Sequence, residues 1–564
     1  MPPSAATARL SARLATLLRE ALAHHRAGDL DGAERGYRAM LAADGWNADA
    51  LHLIGVLHHQ RGLDAEAVRL IGQAVARRPG VAEQHANLGL ALHALGRLAD
   101  AEVEYRRALA LRETYAEAHN SLGSALQEQD RFAEAAVHYR RALDLNAGYA
   151  EAWANLGTLL RAQDDYAEAE TALRHALRLD PGHATALTNL GVVLKETGRT
   201  NEAEAAHLES LRFAPGDAET MVNLALLREA QGRGDEAEAL YAQALIHAPG
   251  FALARWNLAL RLLGRGRLAD GWQEYEARFA SRRVSAGRSL SLPAWEGTPG
   301  KRLLVWREQG VGDELMHSAC YPDLIARAGT GRVVIECEPR LVALFARSFP
   351  QATVRAATED PADADCHIPA GSLALRLGWG LAGFATQGGW LRADEAAVER
   401  WRDWSGSAES AITVGLCWRS GLRGALRDAN YAPLTDWAPI LTLPGLRLIA
   451  LQYDECEAEL ADAERRFGIA IHRPPLDLKN DLDGAAALTA ALDLVISAGT
   501  SVAEMAGALG VPVWRIGPAG DWTALGTGCR PWYPSMRLVC PEPGGTLGDA
   551  LGAAGRALIG LRTR

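Results

Sequence analysis

A 34-residue period constrains the fold of this 564-residue chain more than any other feature of its sequence. A tripeptide of asparagine or serine, then leucine, then a small residue recurs at that spacing without interruption, beginning at Asn87, Ser121, Asn155, Asn189, Asn223 and Asn257. An alanine recurs in the same register at Ala33, Ala67, Ala101, Ala135, Ala169, Ala203 and Ala237. Units of this length bury their apolar faces only against their neighbours. The period therefore predicts an α-solenoid.

Each unit resembles the tetratricopeptide (TPR) repeat, in which two helices touch at small residues. Glycines stand at the expected turn between the helices, at Gly28, Gly62, Gly96, Gly198, Gly232 and Gly266. Prolines close four of the units, at Pro79, Pro181, Pro215 and Pro249. We therefore predict a TPR superhelix of about eight helix pairs over residues 20–282, after a lead-in over residues 1–19.

Asparagine occupies one position on the first helix of five units, at Asn87, Asn155, Asn189, Asn223 and Asn257. Because first helices line the inner groove of a TPR superhelix, these side chains are predicted to form a row along it. Each amide offers two donors and an acceptor to the backbone of an extended peptide. The row resembles the asparagine ladder of O-linked N-acetylglucosamine transferases, although Leu53 and Ser121 interrupt it. The alternative is that the asparagines bond to neighbouring repeats.

Charge and composition exclude several classes of partner. The net charge is −10 and is divided evenly, because residues 1–300 and residues 301–564 each carry −5. Without a basic half there is no footprint for nucleic acid or for an anionic membrane surface. The sequence has no apolar run of about 18 residues, so no transmembrane segment is expected. No secretory signal is recognised, and the seven cysteines lack paired spacing, so a cytoplasmic location is expected.

The second half of the chain has a different pattern. Residues 283–300 lose the period and collect Ser, Gly and Pro, which predicts a linker. After it, short apolar runs alternate with helical patterns, which is typical of α/β folds with parallel sheets. Strands are predicted at residues 302–306, 332–337, 412–418, 446–452, 493–497 and 512–516. The length suits two facing sheets, over residues 301–400 and 401–564.

The end of the first predicted strand carries a glycine turn and an acidic residue, Gly310-Val311-Gly312-Asp313. Active sites of open α/β sheets gather at such carboxyl ends. Position 315 is leucine where the third glycine of a dinucleotide fingerprint would fall, and this disfavours NAD. Asp313 could also cap the following helix, and the two roles can coexist.

Five segments resemble bacterial TPR proteins fused to a heptosyltransferase-like glycosyltransferase of the GT-B fold. They are residues 306–313 (WREQGVGD), 414–421 (VGLCWRSG), 451–453 (LQY), 493–510 (DLVISAGTSVAEMAGALG) and 532–536 (WYPSM). The resemblance implies two facing Rossmann-like subdomains, an acceptor subdomain over residues 301–400 and a nucleotide-sugar subdomain over residues 401–564. It also implies that Asp313 is the base that deprotonates the acceptor. If Asp313 were only structural, Glu308 or Glu314 would be the next candidate base.

Glycosyl transfer also needs a positive or NH-rich cradle for the departing phosphate. Arg419 after a strand, and the helix start after Thr500, are predicted to supply it. The alternative for Arg419 is a surface ion pair. Gln452 and Tyr453 are predicted to contact the nucleobase or ribose of the donor, and the alternative for Tyr453 is core packing. The predicted substrate-binding residues are Gln309, Gly310, Gly312, Trp418, Arg419, Ser420, Gln452, Tyr453, Gly499, Thr500, Ser501 and Glu504.

Two positions depart from the family pattern. Heptosyltransferase-like sequences commonly show Asp-Thr followed by a histidine one helix turn later, whereas this chain has Gly499-Thr500 and then Glu504. Glu504 is predicted either to bind sugar or ribose hydroxyls or to complete a capping box with Ser501. The change leaves the donor, whether hexosyl, heptosyl or nonulosonyl, unassigned.

Acidic pairs at Asp363 and Asp365 and at Asp481 and Asp483 match the Asp-x-Asp motif of metal-dependent transferases. We discount them, because GT-B enzymes normally rely on protein charges. No metal and no cofactor are expected beyond the nucleotide sugar, which is a substrate.

The predicted function is a metal-independent inverting glycosyltransferase. It would move a sugar from a nucleotide sugar to a protein held in the TPR groove, with a flagellin-like protein as one candidate client. The alternatives are a transferase acting on lipopolysaccharide or another glycan, and a non-catalytic TPR scaffold with a degenerate transferase domain.

Overall fold

A computed structural model describes residues 5–280, 287–329, 332–358, 361–384, 388–406, 411–421, 428, 430–518, 520–542 and 544–562. The chain divides into two compact units, Met1–Leu240 and Tyr241–Arg564. Across the described residues, every helix is too short or too polar to span a lipid bilayer.

The predicted helix pairs are confirmed. Residues 5–280 contain sixteen α-helices: α1 Ala5–Arg26, α2 Leu30–Ala43, α3 Ala48–Gln60, α4 Asp64–Arg77, α5 Ala82–Ala94, α6 Leu98–Leu111, α7 Ala116–Gln127, α8 Phe132–Leu145, α9 Ala150–Ala162, α10 Tyr166–Leu179, α11 Ala184–Glu196, α12 Thr200–Phe213, α13 Ala218–Ala230, α14 Gly234–His247, α15 Ala252–Gly264 and α16 Leu268–Tyr275. The turn glycines have φ between 71° and 79°, and Asp130 and Asp164 take this left-handed conformation in the two repeats without one.

Two parallel sheets form in the described part of residues 287–564, in the strand orders β3-β2-β1-β4 and β10-β9-β8-β5-β6-β7. Their bounds are β1 Leu303–Trp306, β2 Val333–Cys337, β3 Thr353–Ala356, β4 Cys366–Pro369, β5 Ile412–Cys417, β6 Leu446–Ala450, β7 Ile471–His472, β8 Leu494–Ala498, β9 Val513–Ile516 and β10 Met536–Val539. The predicted α/β architecture is therefore confirmed.

Helices alternate with these strands. They are α17 Val311–His317, α18 Tyr321–Ala328, α19 Val342–Ser348, α20 Leu373–Leu377, α21 Leu381–Phe384, α22 Glu395–Ser405, α23 Ala438–Leu441, α24 Glu457–Phe467, α25 Leu482–Ala490, α26 Ser501–Ala508 and α27 Leu547–Arg562.

The sequence predicted the inner strands and missed the outer ones. The six predicted strands, β1, β2, β5, β6, β8 and β9, are present with ends shifted by no more than two residues. The four strands that were not predicted, β3, β4, β7 and β10, lie at the edges of the two sheets. Edge strands are covered on fewer sides, so their sequences lack the continuous apolar run that marks a buried parallel strand.

The last helix pair packs into the core of the second unit. Trp272 on α16 makes edge-to-face contacts with Trp522 and Trp532, at centroid distances of 6.2 and 6.1 Å. The predicted linker also packs against the rest of the second unit, because Trp295 is buried and its backbone N–H donates to the carbonyl of His367 at 2.8 Å. The structural boundary thus lies before α15, whereas the sequence predicted it at residues 283–300, of which 283–286 lie outside the described residues.

Candidate functional site

A cavity of about 580 Å³ lies among the loops that follow the strands of both sheets. The turn after β1 supplies residues 310–313, the loop after β2 supplies Arg340, and the turn after β8 supplies residues 499–501. Carboxyl ends of parallel strands are where α/β proteins bind ligands. The cavity is therefore the candidate functional site.

Nine of the thirteen residues predicted for catalysis and substrate binding line this cavity: Gly310, Gly312, Asp313, Ser420, Tyr453, Gly499, Thr500, Ser501 and Glu504. Gln309, Trp418, Arg419 and Gln452 are not among its lining residues. The structure thus brings together the two glycine turns that lie almost 190 residues apart in the chain.

The two glycine turns touch where α17 and α26 begin. A Cβ atom built on Gly312 would lie 3.8 Å from the Cα atom of Ser501 and 3.7 Å from the Cγ atom of Glu504. The starts of the two helices are therefore in van der Waals contact, and both Asp313 and Glu504 line the cavity.

Asp313 caps its own helix and also faces the cavity. Its Oδ2 atom accepts the N–H of Gly310 at 3.1 Å from the third position of α17, whereas the N-cap residue is Gly310 and not, as the alternative prediction had it, Asp313. Burial raises the pKa of Asp313, and the nearby carboxylates of Glu504 and Glu308 raise it further, against the lowering effect of the Gly310 N–H. A carboxylate with a raised pKa is a stronger base, which suits proton abstraction from an acceptor hydroxyl.

The two reserve candidates for the base are engaged elsewhere. Glu308 is bound by Arg278 through Nε and Nη2, at 2.6 and 2.9 Å, and by the N–H of Gly371 at 2.6 Å. Glu314 accepts the N–H of Glu338 at 2.8 Å. Neither residue is among those that line the cavity.

Glu504 does not form the predicted capping box. The N-cap of α26 is Thr500, and Ser501 is already the first helical residue, so the Ser501 hydroxyl is not in position to cap the helix. The Glu504 carboxylate instead forms a buried ion pair with Arg530. The partner lies 26 residues along the chain, so local sequence patterns do not reveal it.

Arg419 does not reach the cavity. Its guanidinium pairs with the carboxylates of Asp454 and Glu459 and donates to the carbonyl of Glu455 at 3.0 Å. The ion-pair alternative is therefore the observed one, although the side chain is buried and not on the surface. With two carboxylates beside it, Arg419 has no free positive charge for a phosphate.

Gln452 and Trp418 support the same loop from inside. The Gln452 side chain accepts the backbone N–H groups of Trp418 and Arg419 at 3.2 and 3.3 Å and donates to the Arg419 carbonyl at 2.9 Å. Trp418 is fully buried. Tyr453 lines the cavity while its hydroxyl accepts the N–H of Gly421 at 3.2 Å. Gln309 has φ of 60° and shapes the turn without lining the cavity.

Four cationic side chains that were not predicted line the cavity: Arg340, Lys479, Arg515 and Arg530. One of them carries a sequence signal. Arg515 interrupts the apolar run of a buried strand, and a charged residue in such a run is expensive unless it is paired or used. The positions of the other three follow only from the packing of distant loops.

The acidic pairs have protein partners. Asp363 binds Arg355 at 2.6 and 2.9 Å, and Asp365 binds Arg302 at 2.9 Å. Asp481 accepts the N–H of Gly484 at 2.8 Å, and Asp483 binds Arg347 at 2.7 and 2.8 Å. In the described residues, no group of three or more histidine, cysteine, aspartate or glutamate side chains is arranged to hold a metal ion.

The asparagine row bonds partly within the solenoid. Asn87 contacts His52 at 2.8 Å, and Asn155 donates to Asn120 at 3.0 Å, in both cases in the preceding repeat. Asn189 donates to the carbonyl of Thr185, one turn earlier on its own helix. The Nδ2 atom of Asn257 is buried and has no hydrogen-bond partner within the described residues. Asn223 is half-buried. Bonding between repeats thus accounts for two of the five amides.

Comparisons with known proteins identify the repeats. A model of the middle TPR-like domain of cilia and flagella-associated protein 70 matches residues 126–248, and two TPR repeat models match residues 89–130 and 222–282. The N-terminal half of the chain therefore carries TPR repeats. Protein FlbA of Caulobacter vibrioides is 36% identical over 318 residues, 53% of this chain and 53% of FlbA. The chain thus spans about half the length of this curated relative.

Several solved structures are similar to part of the chain. The APC/C hetero-tetramer Cut9-Hcn1 is 18% identical over 48% of this chain and 54% of that chain, with a TM-score of 0.40. PilF of Pseudomonas aeruginosa is 23% identical over 38% of this chain and 96% of PilF, with a TM-score of 0.34. A TPR protein from Parabacteroides merdae is 17% identical over 44% of this chain and 99% of that protein, with a TM-score of 0.38.

Proposed function

We propose that residues 301–564 form a GT-B glycosyltransferase domain that transfers a sugar from a nucleotide sugar, with inversion and without a metal ion. One observation carries the proposal: a single cavity joins Asp313, after the first strand of one sheet, to the Gly499–Ser501 turn of the other sheet. An acceptor base and a donor site on facing sheets are what a two-sheet transferase requires.

The reaction assigns one step to each side of the cavity. The acceptor hydroxyl gives its proton to the Asp313 carboxylate while its oxygen forms a bond to the anomeric carbon of the donor. The bond from that carbon to the phosphate oxygen breaks, and its electron pair leaves with the nucleotide. The raised pKa of Asp313 favours the proton transfer. The helix start at Ser501 favours the departing anion.

We further propose that the acceptor is a protein recruited by the TPR repeats, with a flagellin-like protein as the candidate client. Repeat arrays of this kind expose a long surface, and the partly buried amides of Asn155 and Asn223 lie on their first helices. The array would supply binding energy remote from the reacting atoms, which fixes the acceptor in position.

A non-catalytic scaffold is the second candidate, favoured by one observation. The arginine predicted for the phosphate cradle, Arg419, is neutralised by Asp454 and Glu459. In this case the repeats would still bind proteins, while the cavity would bind a nucleotide sugar weakly or not at all.

The test is the substitution Asp313→Asn in the full chain. Asparagine keeps an acceptor oxygen for the Gly310 N–H but loses basicity, so we expect transfer and donor hydrolysis to fall by about 10²–10⁴ and stability to change by at most about 1 kcal/mol. Asp394→Asn is the matched control, because Asp394 caps α22 and accepts the N–H of Ala397 at 2.7 Å outside the cavity.

Two outcomes would contradict the proposal. An Asp313→Asn variant whose transfer rate is within a few-fold of the wild-type rate would show that Asp313 is not the catalytic base. A wild-type chain that neither hydrolyses nor transfers any of a panel of nucleotide sugars would favour the scaffold.

A separate experiment tests the protein acceptor. Replacing Asn155, Asn189 and Asn223 by alanine should lower the modification of client proteins, measured by mass spectrometry, and leave donor hydrolysis unchanged.

A further inference from the structure

Arg515 occupies an unusual place for an arginine. It is the third residue of β9, and its side chain, 16% exposed, lines the cavity. Its guanidinium lies on the backbone of Gly499, because a Cβ atom built there would come within 2.6 Å of Nη2 and 3.1 Å of Cζ. Glycine at position 499 is therefore what makes room for this guanidinium.

Within the described residues, Asp521 is the carboxylate that holds the guanidinium. Its Nη2 atom lies 2.8 Å from Oδ2 of Asp521. The other oxygen of Asp521 accepts the N–H and the hydroxyl of Thr523 at 2.9 and 2.7 Å, which fixes the carboxylate. The Nε atom of Arg515 has no hydrogen-bond partner in the part of the chain that the structure describes.

Two of the other candidate cations, Arg419 and Arg530, differ in this respect. Arg419 is enclosed by two carboxylates and a carbonyl and lies outside the cavity lining. Arg530 is buried against Glu504 and the sulfur of Met316. Among the residues that the structure describes, Arg515 pairs with one carboxylate, that of Asp521, and it lines the cavity beside the Gly499–Ser501 turn.

We propose that Arg515 binds an oxyanion of the donor, namely a phosphate of the nucleotide leaving group, above the Gly499–Ser501 turn. The inference rests on the proposed function and names the residue that receives the departing charge. A planar guanidinium presents two parallel N–H donors that match the geometry of phosphate oxygens. A carboxylate at position 499 would lie against the guanidinium and compete with that phosphate.

The experiment measures binding by isothermal titration calorimetry on the full chain, with inorganic pyrophosphate, ADP, UDP, GDP and CMP as probes. We expect Arg515→Gln to weaken the best probe by about 10- to 100-fold, the effect of losing charge-assisted hydrogen bonds. Gly499→Asp should weaken it as much, and Arg515→Lys should restore part of the affinity.

The matched control is Arg537→Gln. Arg537 lies on the adjacent strand β10, with its guanidinium over the ring of Trp514 and outside the cavity lining. This variant should bind the probes within about twofold of the wild type. Melting temperatures of all variants separate lost binding from lost folding, and Gly499→Asp tests the same site if Arg515→Gln does not fold.

The outcomes separate this inference from the proposed function. Unchanged affinity in Arg515→Gln, equal loss in Arg537→Gln, or a wild type that binds none of the phosphate probes would overturn the role of Arg515. If Arg515→Gln loses binding while Asp313→Asn transfers sugar normally, Arg515 stands and the proposed base fails. If Asp313 is required and Arg515 is not, the reverse holds.

Discussion

Replacing Arg278 by methionine would leave a carboxylate without a countercharge inside the second unit. Arg278 is 0% exposed and its partner Glu308 is 1% exposed. Arg278 also donates to the hydroxyl of Ser372 at 2.8 Å and to the carbonyl of Tyr275 at 3.1 Å. The pair joins the helical segment Glu276–Phe279 to the end of β1, next to the cavity turn.

The expected magnitude follows from this burial. Removing one member of a buried, hydrogen-bonded ion pair costs about 3–5 kcal/mol, because the remaining charge stays desolvated. Unfolding entropy of about 2.1 cal/mol/K per residue gives about 0.7 kcal/mol/K for the unit Tyr241–Arg564. We therefore expect Arg278→Met to lower the Tm of this unit by about 4–7 °C.

The assay is thermal unfolding followed by tryptophan fluorescence, since Trp272 and Trp522 lie in this unit. The control is Arg255→Met, which removes a half-exposed pair with Glu274, 35% and 24% exposed. Because solvent screens such a pair, the control should cost no more than about 1 kcal/mol.

A double variant completes the test. Arg278→Met combined with Glu308→Leu removes both buried charges and leaves only the carboxylate of Glu276, a second partner of Arg278 at 2.9 Å that is 33% exposed, so it should be more stable than Arg278→Met alone. An Arg278→Met variant that melts within about 1 °C of the wild type would refute the reasoning. A double variant less stable than Arg278→Met would refute it equally, since the cost would then come from packing and not from the unpaired carboxylate.

Two further predictions concern buried charges near the cavity. Burial raises the pKa of Glu314 to about 7, so the folded state favours the protonated carboxyl. The contribution of this protonation to folding stability is complete below about pH 4.5 and is lost as the pH rises through 7. The Tm of Glu314→Gln relative to the wild type should therefore increase from pH 5 to pH 8, and an equal difference at both values would contradict this. Arg419→Gln should lower the Tm, because Asp454 and Glu459 lose their partner, and should leave the affinity for pyrophosphate unchanged. Weaker pyrophosphate binding at an unchanged Tm would show that Arg419 binds phosphate after all.

The sequence by itself determined the local architecture. The 34-residue period predicted the helix pairs, because the contacts that form a TPR repeat lie within the unit or one period away. The six inner strands were also predictable from the sequence, because each is a short and mainly apolar segment. The position of Asp313 at the end of β1 followed from the glycine turn beside it.

Only the tertiary structure decided which charges face the cavity. Arg419 was expected there from its place after a strand, but the carboxylates of Asp454 and Glu459 enclose it. Arg515 faces the cavity because β9 pairs with β8 and brings its side chain over Gly499. The physical reason is range: helical and strand periodicity are set by near neighbours, whereas the state of a buried charge depends on partners that the fold alone brings together.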